Sequence, residues 1–113
     1  MTVDKPWGEY LNLLETSYCK VKKITIKPRQ RLSYQYHHNR NEIWAIVSGR
    51  GEVTLDEQES LVEVGDVVEV SVGCKHRIKN AHDYDDLVLI EVQHGTYFGE
   101  DDIVRVEDDY FRS

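Results

Sequence analysis

Short runs of alternating apolar and polar residues follow one another along most of this chain, separated by turn residues. Alternation with period two, in runs rich in β-branched residues, is typical of half-buried β-strands, and helical periodicity is hard to find. We predict strands at about 18–26, 32–36, 42–48, 51–55, 60–64, 67–70, 76–80 and 87–93. This many short strands with frequent turns favours an all-β jelly roll or small barrel.

Glycine and polar residues mark the predicted connections between these strands. Residues 48–51, Ser-Gly-Arg-Gly, and residues 56–59, Asp-Glu-Gln-Glu, are predicted to be hairpin connections. Gly65 is predicted to adopt a positive φ in a tight turn, because glycine has no Cβ that would clash there. The acidic segment 100–110 is predicted to form a short helix or an edge strand that packs over one mouth of the barrel.

Length and cysteine content limit the class of protein. A chain of 113 residues suits one domain, 1–113, with a single modest core. The sequence shows no linker, no signal peptide and no apolar run of about twenty residues, so we expect a cytoplasmic protein without a membrane partner. Cys19 and Cys74 are too few for a disulfide framework, and we expect both to be reduced. Cys74 lies two residues before His76 and remains a possible metal ligand.

The net charge of −7 hides a strong asymmetry along the chain. The first forty residues contain eight Lys or Arg and three Asp or Glu, whereas the remaining residues contain six Lys or Arg and eighteen Asp or Glu. This balance argues against a nucleic-acid partner, because nucleic-acid phosphates need a basic face. Basic residues near the first histidines and around His76 could still bind one small phosphate. The alternative is that these residues are solvated strand edges.

Two polar clusters carry side chains that can ligate a metal. Gln35 and His37 project to the same face of an extended strand, whereas His38 projects to the other face. Glu42 follows across a polar turn, and His76 reaches the same neighbourhood if the sheet folds back on itself. Two imidazoles, a carboxylate and a carboxamide form the mixed N/O set that borderline divalent metals accept. Gln35 could instead orient a metal-bound water.

The spacing of these residues resembles the two sequence motifs of the cupin superfamily. The first motif, which runs from a glycine through two histidines and a glutamate to a second glycine, falls here on Arg29, Gln35, His37, Glu42 and Gly49. The second motif falls on Gly65, Ser71 in place of a proline, Gly73, His76 and Asn80. Two motifs in the right order are a strong signal. The resemblance implies a cupin double-stranded β-helix, which is an RmlC-like jelly-roll barrel.

A narrower resemblance covers almost the whole chain. It is carried by residues 5–10 (KPWGEY), 21–24 (VKKI), 32–35 (LSYQ), 40–44 (R-x-E-x-W), 47–49 (VSG), 90–93 (IEVQ) and 97–105 (YFGEDDIVR). These segments resemble the cupin domain of type II mannose-6-phosphate isomerases, often the C-terminal part of a bifunctional mannose-1-phosphate guanylyltransferase/mannose-6-phosphate isomerase. Gln35 is the family's own residue. The chain departs from the family at Arg29, Asn39 and Ile43, where the family has glycine, histidine and histidine.

The resemblance implies a metal-dependent isomerase that interconverts mannose 6-phosphate and fructose 6-phosphate. One divalent ion would be held by Gln35, His37, Glu42 and His76. Zinc, manganese, iron, cobalt and nickel all remain possible for this donor set. A small barrel with open edges and an aromatic N-terminal segment is also expected to form a homodimer.

A strand near the C-terminus carries the candidate base. Glu91 and Gln93 alternate with Ile90 and Val92, so the polar pair faces either the barrel interior or solvent. We favour the interior, where Glu91 would take the sugar's C2 proton, with its pKa raised by partial burial and lowered by the metal. The predicted substrate contacts are Arg40, Arg77 and Gln93, of which the two arginines can grip a phosphate through paired hydrogen bonds.

Two other functions remain open. The departures at Arg29, Asn39 and Ile43 motivate a non-catalytic module that binds metal or sugar and acts with a separate nucleotidyltransferase. A metal-dependent dioxygenase or another small-molecule cupin enzyme is the third possibility, because a fold alone does not determine chemistry.

Overall fold

The structure, a computed structural model, describes residues 2–110. That part of the chain is almost entirely β. The strands are β1 (Thr2–Lys5), β2 (Gly8–Glu15), β3 (Cys19–Ile26), β4 (Tyr34–His37), β5 (Arg40–Ser48), β6 (Arg50–Leu55), β7 (Gln58–Glu63), β8 (Val67–Val70), β9 (His76–Asn80), β10 (Leu87–Gly95) and β11 (Ile103–Glu107). One turn of 3₁₀ helix, Glu100–Asp102, precedes β11. The all-β prediction is confirmed.

The strands form two antiparallel sheets that enclose the core. The larger sheet has the order β1-β2-β3-β10-β5-β8, and the smaller has the order β11-β4-β9-β6-β7. Chain neighbours often lie in opposite sheets, as β4 and β5 do, so the chain winds between the two layers. This winding brings side chains from distant parts of the sequence to the same interior.

All eight predicted strands are present, and the acidic segment 100–110 supplies both the short helix and the edge strand β11. Two strands, β1 and β2, were missed. The alternation in β2 is interrupted by the pair Leu13 and Leu14, both about half exposed, where a register shift breaks the pairing with β3. A bulge of this kind removes the period-two signal from the sequence.

The turn predictions have mixed outcomes. Asp56 and Glu57 both adopt positive φ, 44° and 71°, in the hairpin between β6 and β7, so that prediction is confirmed. Gly65 has the positive φ predicted for it, 95°. The hairpin predicted at residues 48–51 is wrong, because β5 and β6 belong to different sheets. Gly49, with φ 83°, carries the chain across, and a Cβ there would lie 2.6 Å from the Asp86 carbonyl oxygen.

The barrel interior changes from apolar to polar along its length. On β10 the inward positions are Leu87, Leu89, Glu91 and Gln93, and each is at most 5 % exposed. The apolar half packs against the remaining core, formed by Trp7, Ile24, Ile26, Trp44, Ile46, Val53, Val62, Val68, Val70 and Ile78. The polar half therefore faces the space where the candidate ligands were expected.

Two further expectations concern the described part of the chain. Within residues 2–110 there is no helix with the length and apolar character needed to cross a bilayer. Cys19 and Cys74 are free cysteines, as predicted.

Candidate metal centre

Three side chains that can ligate a metal meet inside the barrel. His37 at the end of β4, Glu42 on β5 and His76 at the start of β9 are each 2 % exposed. Their donor atoms all lie within 4.8 Å of one another, so they could hold a metal ion. Glu42 faces inward because the inward positions of β5 are the even-numbered ones, and the two histidines reach it from the opposite sheet.

Glu42 is the centre of the cluster. Its Oε2 accepts a hydrogen bond from Arg40 Nε at 3.0 Å and lies 3.0 Å from His37 Nε2. Its Oε1 accepts a hydrogen bond from Trp44 Nε1 at 3.0 Å. Burial alone raises the pKa of Glu42, but His37, His76 and Arg40 outweigh burial and hold the pKa well below its usual range. Glu42 is therefore ionised and oriented.

The hydrogen bonding of His76 defines its tautomer. Its Nδ1 lies 2.9 Å from the Cys74 carbonyl oxygen, which can only accept, so Nδ1 carries the proton. Its Nε2 then has a free lone pair, 3.8 Å from Glu42 Oε1, and has no hydrogen-bond partner within residues 2–110. Burial lowers the pKa of His76 and keeps the ring neutral. A neutral imidazole fixed through its other nitrogen is the usual form of a metal ligand.

His37 completes the donor set. Its ring centroid lies 5.0 Å from that of His76, so the two imidazoles are on the same side of the cavity. Its Nε2 lies 3.0 Å from Glu42 Oε2 and 3.2 Å from Arg40 Nη2. Two imidazole nitrogens and one carboxylate, all buried and already oriented, fit a borderline divalent ion.

The other two proposed ligands are less well placed. Gln35 is the cross-strand partner of His76 and lines the same space as Glu42 and His76. Its carboxamide oxygen accepts a hydrogen bond from Ser33 Oγ at 2.6 Å, so its part in binding the metal remains a prediction. The Cys74 thiol is not in the cluster of donor atoms found in residues 2–110, and burial raises its pKa.

Glu91 and Gln93 face the interior, as predicted. On the neighbouring strand β5, Glu42 is the cross-strand partner of Gln93, and Trp44 is the partner of Glu91. Gln93 Nε2 donates to Glu91 Oε1 at 2.6 Å. Burial, the charge of Glu42 and a hydrogen bond shared with Glu42 raise the pKa of Glu91 to about 8. The cavity thus holds one ionised carboxyl, Glu42, and one, Glu91, whose pKa of about 8 is close enough to neutral for it to take up and release a proton.

The two predicted phosphate contacts differ in their surroundings. Arg40 is buried beside Glu42 and lines the cavity. Arg77 donates from Nε to the Leu32 carbonyl at 2.9 Å, and its two terminal nitrogens contact Glu107 at 3.3 Å. Arg77 therefore ties β9 to the edge strand β11.

The departures from the family pattern at Arg29, Asn39 and Ile43 do not touch the donor set, and a further departure, Phe111 in place of glycine, lies outside the described residues. Arg29, where the family has glycine, adopts φ 64° and forms an exposed ion pair with Asp83, so the glycine-like backbone is retained. Ile43 is an odd-numbered residue of β5, on the face opposite Glu42. The Asn39 side chain donates to Asp102 Oδ1 at 3.1 Å.

Sequence reasoning missed Asp102 as a residue that supports the site. Its carboxylate accepts hydrogen bonds from the backbone N–H groups of His38 and Asn39 at 3.2 and 3.0 Å, in the turn between His37 and Arg40. Burial raises the pKa of Asp102, but these hydrogen bonds outweigh it and lower the pKa below its usual value. The only sequence signal was its place in the acidic segment.

We expect Asp102→Ala to lower the free energy of unfolding by about 1–3 kcal/mol, because buried N–H groups of the turn lose their acceptor. Urea denaturation at pH 7 measures this loss, and Asp101→Ala, at the exposed neighbouring position, is the matched control. Because folding lowers the pKa of Asp102, the difference from wild type should be present above pH 3.8 and shrink as pH falls through the folded pKa. Equal stability of the two variants would contradict this role.

Comparison with known proteins identifies the family. The family model described as "Mannose-6-phosphate isomerase C-terminal" matches residues 1–108. The chain belongs to this family. It is 46% identical over 111 residues to the xanthan biosynthesis protein XanB of Xanthomonas campestris, covering 98% of this chain and 24% of XanB. It is 40% identical to a mannose-1-phosphate guanylyltransferase of Salmonella montevideo, covering 98% of this chain and 23% of that protein.

The chain spans about a quarter of the length of the curated relatives it matches. Solved structures show the fold. The capsular polysaccharide assembling protein CapF of Staphylococcus aureus superposes with a TM-score of 0.83 at 24% identity, covering 95% of this chain and 34% of CapF. The Cnp3 cupin domain of Schizosaccharomyces pombe gives 0.73 at 15% identity, covering 77% and 64%. The cupin fold implied by the sequence motifs is confirmed.

Proposed function

We propose that this chain is a metal-dependent aldose–ketose isomerase that interconverts mannose 6-phosphate and fructose 6-phosphate. One observation carries the proposal: Glu42 and His76 of the buried donor set line the same cavity as a second buried carboxyl, Glu91, in a member of the mannose-6-phosphate isomerase C-terminal family. Isomerisation of a sugar phosphate needs both electrostatic stabilisation next to O1 and O2 and one group that moves a proton between C1 and C2.

The residues of the chain divide this work. His37, Glu42 and His76, with Gln35 beside them, would hold the divalent ion, which when bound supplies Lewis-acid stabilisation of developing negative charge on oxygen. Glu91 would carry the proton between the two carbons. Gln93 Nε2 donates to Glu91 Oε1 and so holds the carboxyl group in one orientation, with Oε2 as the oxygen that would take up the proton. The β-barrel walls exclude bulk water, which strengthens each electrostatic interaction inside.

The test is turnover of mannose 6-phosphate by the purified chain loaded separately with zinc, manganese, iron, cobalt or nickel. We expect fructose 6-phosphate to form with at least one of these metals and little or no product after chelation. A panel of hexose 6-phosphates in the same assay defines substrate choice. Absence of turnover with every metal, from protein shown to be folded, would refute the isomerase.

A second candidate function is a metal- or sugar-binding module that acts with a separate nucleotidyltransferase. The specific observation in its favour is that both Glu42 oxygens already accept hydrogen bonds, Oε2 from Arg40 and Oε1 from Trp44. A relative that contains a similar segment is named a guanylyltransferase. Calorimetry separates the two functions, because binding of mannose 6-phosphate without turnover under any metal would favour the module.

We also propose that the chain is a cytoplasmic homodimer in which each copy binds its own sugar phosphate. The support is the open edge of the larger sheet, where, within residues 2–110, β1 pairs only with β2, since unpaired strand edges favour association. Size-exclusion chromatography with light scattering at micromolar concentration should give about twice the chain mass of 13.2 kDa. A mass close to one chain would overturn the dimer.

A further inference from the structure

A small basic cavity opens beside the candidate metal centre. Its volume is about 60 Å³, and it reaches Glu91 and Gln35 at its inner end. The basic residues that line it are Lys5, Lys22, Arg40 and Arg105, whereas the acidic ones are Glu91 and Glu100. The four basic residues outnumber the two acidic ones, so the lining of the cavity carries an excess of positive charge. A cavity of this kind attracts an anion.

Lys22 connects the cavity to the proposed catalytic carboxyl. It is the cross-strand partner of Glu91 on β3, and paired residues of antiparallel strands project to the same face. Its side chain is only 6 % exposed, and its Nζ lies 4.1 Å from the centre of the Tyr10 ring. The ammonium group is bonded to Glu100 Oε1 at 2.6 Å. The charge of this buried lysine, which lies on the same face of the sheet as Glu91, is thus balanced by one carboxylate.

Arg40 supplies the second observation. Its side chain is 3 % exposed, and its Nε and Nη2 contact Glu42. Within residues 2–110, its buried Nη1 has no hydrogen-bond partner. Glu100 Oε1, the oxygen that binds Lys22, lies 4.0 Å from this Nη1. An unsatisfied guanidinium N–H in a buried site indicates space for an acceptor that Glu100 does not fully supply.

We propose that Lys22 and Arg40 form the subsite for the phosphate monoester of the substrate, and that Glu100 is a resident anion which this phosphate replaces. The inference rests on the proposed function, because the phosphate belongs to the sugar that Glu91 would act on. A phosphate offers three acceptor oxygens, so it can bond the Lys22 ammonium and the Arg40 Nη1 together. Lys22 thus takes the role of phosphate contact that the sequence predicted for Arg77.

The position of Glu100 suits an anion that must leave. Its side chain is 43 % exposed, and it lies on a single turn of 3₁₀ helix at the mouth of the cavity. The phosphate would replace the Glu100 carboxylate next to Lys22, so the buried ammonium group would keep a counter-charge when this ion pair breaks. Asp102, two residues further, anchors this turn to the loop between β4 and β5. Glu100 can therefore swing out while the turn stays in place.

The experiment titrates inorganic phosphate into the metal-loaded full chain by calorimetry, followed by mannose 6-phosphate and mannose. We expect Lys22→Gln to weaken phosphate binding about 10- to 100-fold, as loss of a charge-assisted hydrogen bond does. Lys22→Arg should restore most of the affinity and also checks that the position tolerates replacement. Lys23→Gln, the same charge change at the exposed neighbouring residue, should stay within about twofold of wild type.

Replacement of Glu100 should have the opposite effect. Glu100→Gln removes the competing anion, so phosphate is expected to bind about 3- to 10-fold more tightly than to wild type. Glu52→Gln, at an exposed position of β6 in the other sheet, is the matched control and should not change the affinity. Equal phosphate affinity of Lys22→Gln and Lys23→Gln, or weaker binding by Glu100→Gln, would overturn the subsite.

The two proposals fail in different ways. Lys22-dependent phosphate binding by a chain that turns over no hexose phosphate would support the anion subsite and refute the isomerase. Turnover of mannose 6-phosphate with a KM that is unchanged by Lys22→Gln would support the isomerase and refute the subsite. Mannose should bind no more tightly to wild type than to Lys22→Gln, because it lacks the phosphate.

Discussion

Glu91→Gln is expected to lower kcat for mannose 6-phosphate by about 10²- to 10⁴-fold, the usual contribution of a general base. Glutamine has nearly the shape of glutamate, so it can still accept the hydrogen bond from Gln93 at the position of Oε1. It has no oxygen that can take up and return a proton. KM should change far less than kcat, because Glu91 is proposed to act on the proton that moves and not on the phosphate.

A second measurement separates catalysis from structure. Wild type in D₂O should exchange the C2 hydrogen of mannose 6-phosphate for deuterium, and Glu91→Gln should lose this exchange while keeping its metal content and thermal midpoint. Glu52→Gln, the same chemical change on an exposed face, should exchange normally. Ordinary exchange by the Glu91 variant would remove Glu91 from the role of base.

The orientation of Glu91 could be predicted because it depends on a local rule. Successive side chains of a strand alternate between faces, so Leu87 and Leu89 indicate the direction of Glu91 and Gln93 without further knowledge. The same rule predicted different surroundings for His37 and His38, although His38 proved to lie in the turn after β4 and not on the strand. Alternation predicts which residues share a face, and the spacing of the two motifs predicts which strands carry the candidate ligands.

Contacts that depend on the path of the chain between sheets could not be predicted in this way. The turn at Gly49 resembles a hairpin locally, yet the strands on either side of it lie in different sheets. Lys22 and Glu100 are 78 positions apart, and Asp102 lies 63 positions from Asn39. No local pattern reports such pairs, because they form only when β11 closes over the barrel.

Removal of a candidate ligand should have the second large effect. His37→Ala takes one imidazole from a set of three buried donors and should weaken binding of the preferred divalent ion by at least about 100-fold, since even loss of a group that only orients a ligand costs 10- to 100-fold. Metal content after dialysis, measured by elemental analysis, reports this directly. The stabilising shift in thermal midpoint on adding metal should be lost as well, because that shift depends on binding to the folded state.

His38→Ala is the matched control for this prediction, because His38 is adjacent to His37 in the chain but lies exposed in the turn after β4. His38 is exposed and contacts the Tyr36 ring at the surface, whereas His37 is 2 % exposed and lies 3.0 Å from Glu42. Retention of metal by His38→Ala together with its loss from His37→Ala would tie binding to the interior face. Retention of metal by both variants would mean that the ion binds elsewhere. That result would also contradict the proposed roles of Glu42 and His76 as metal ligands.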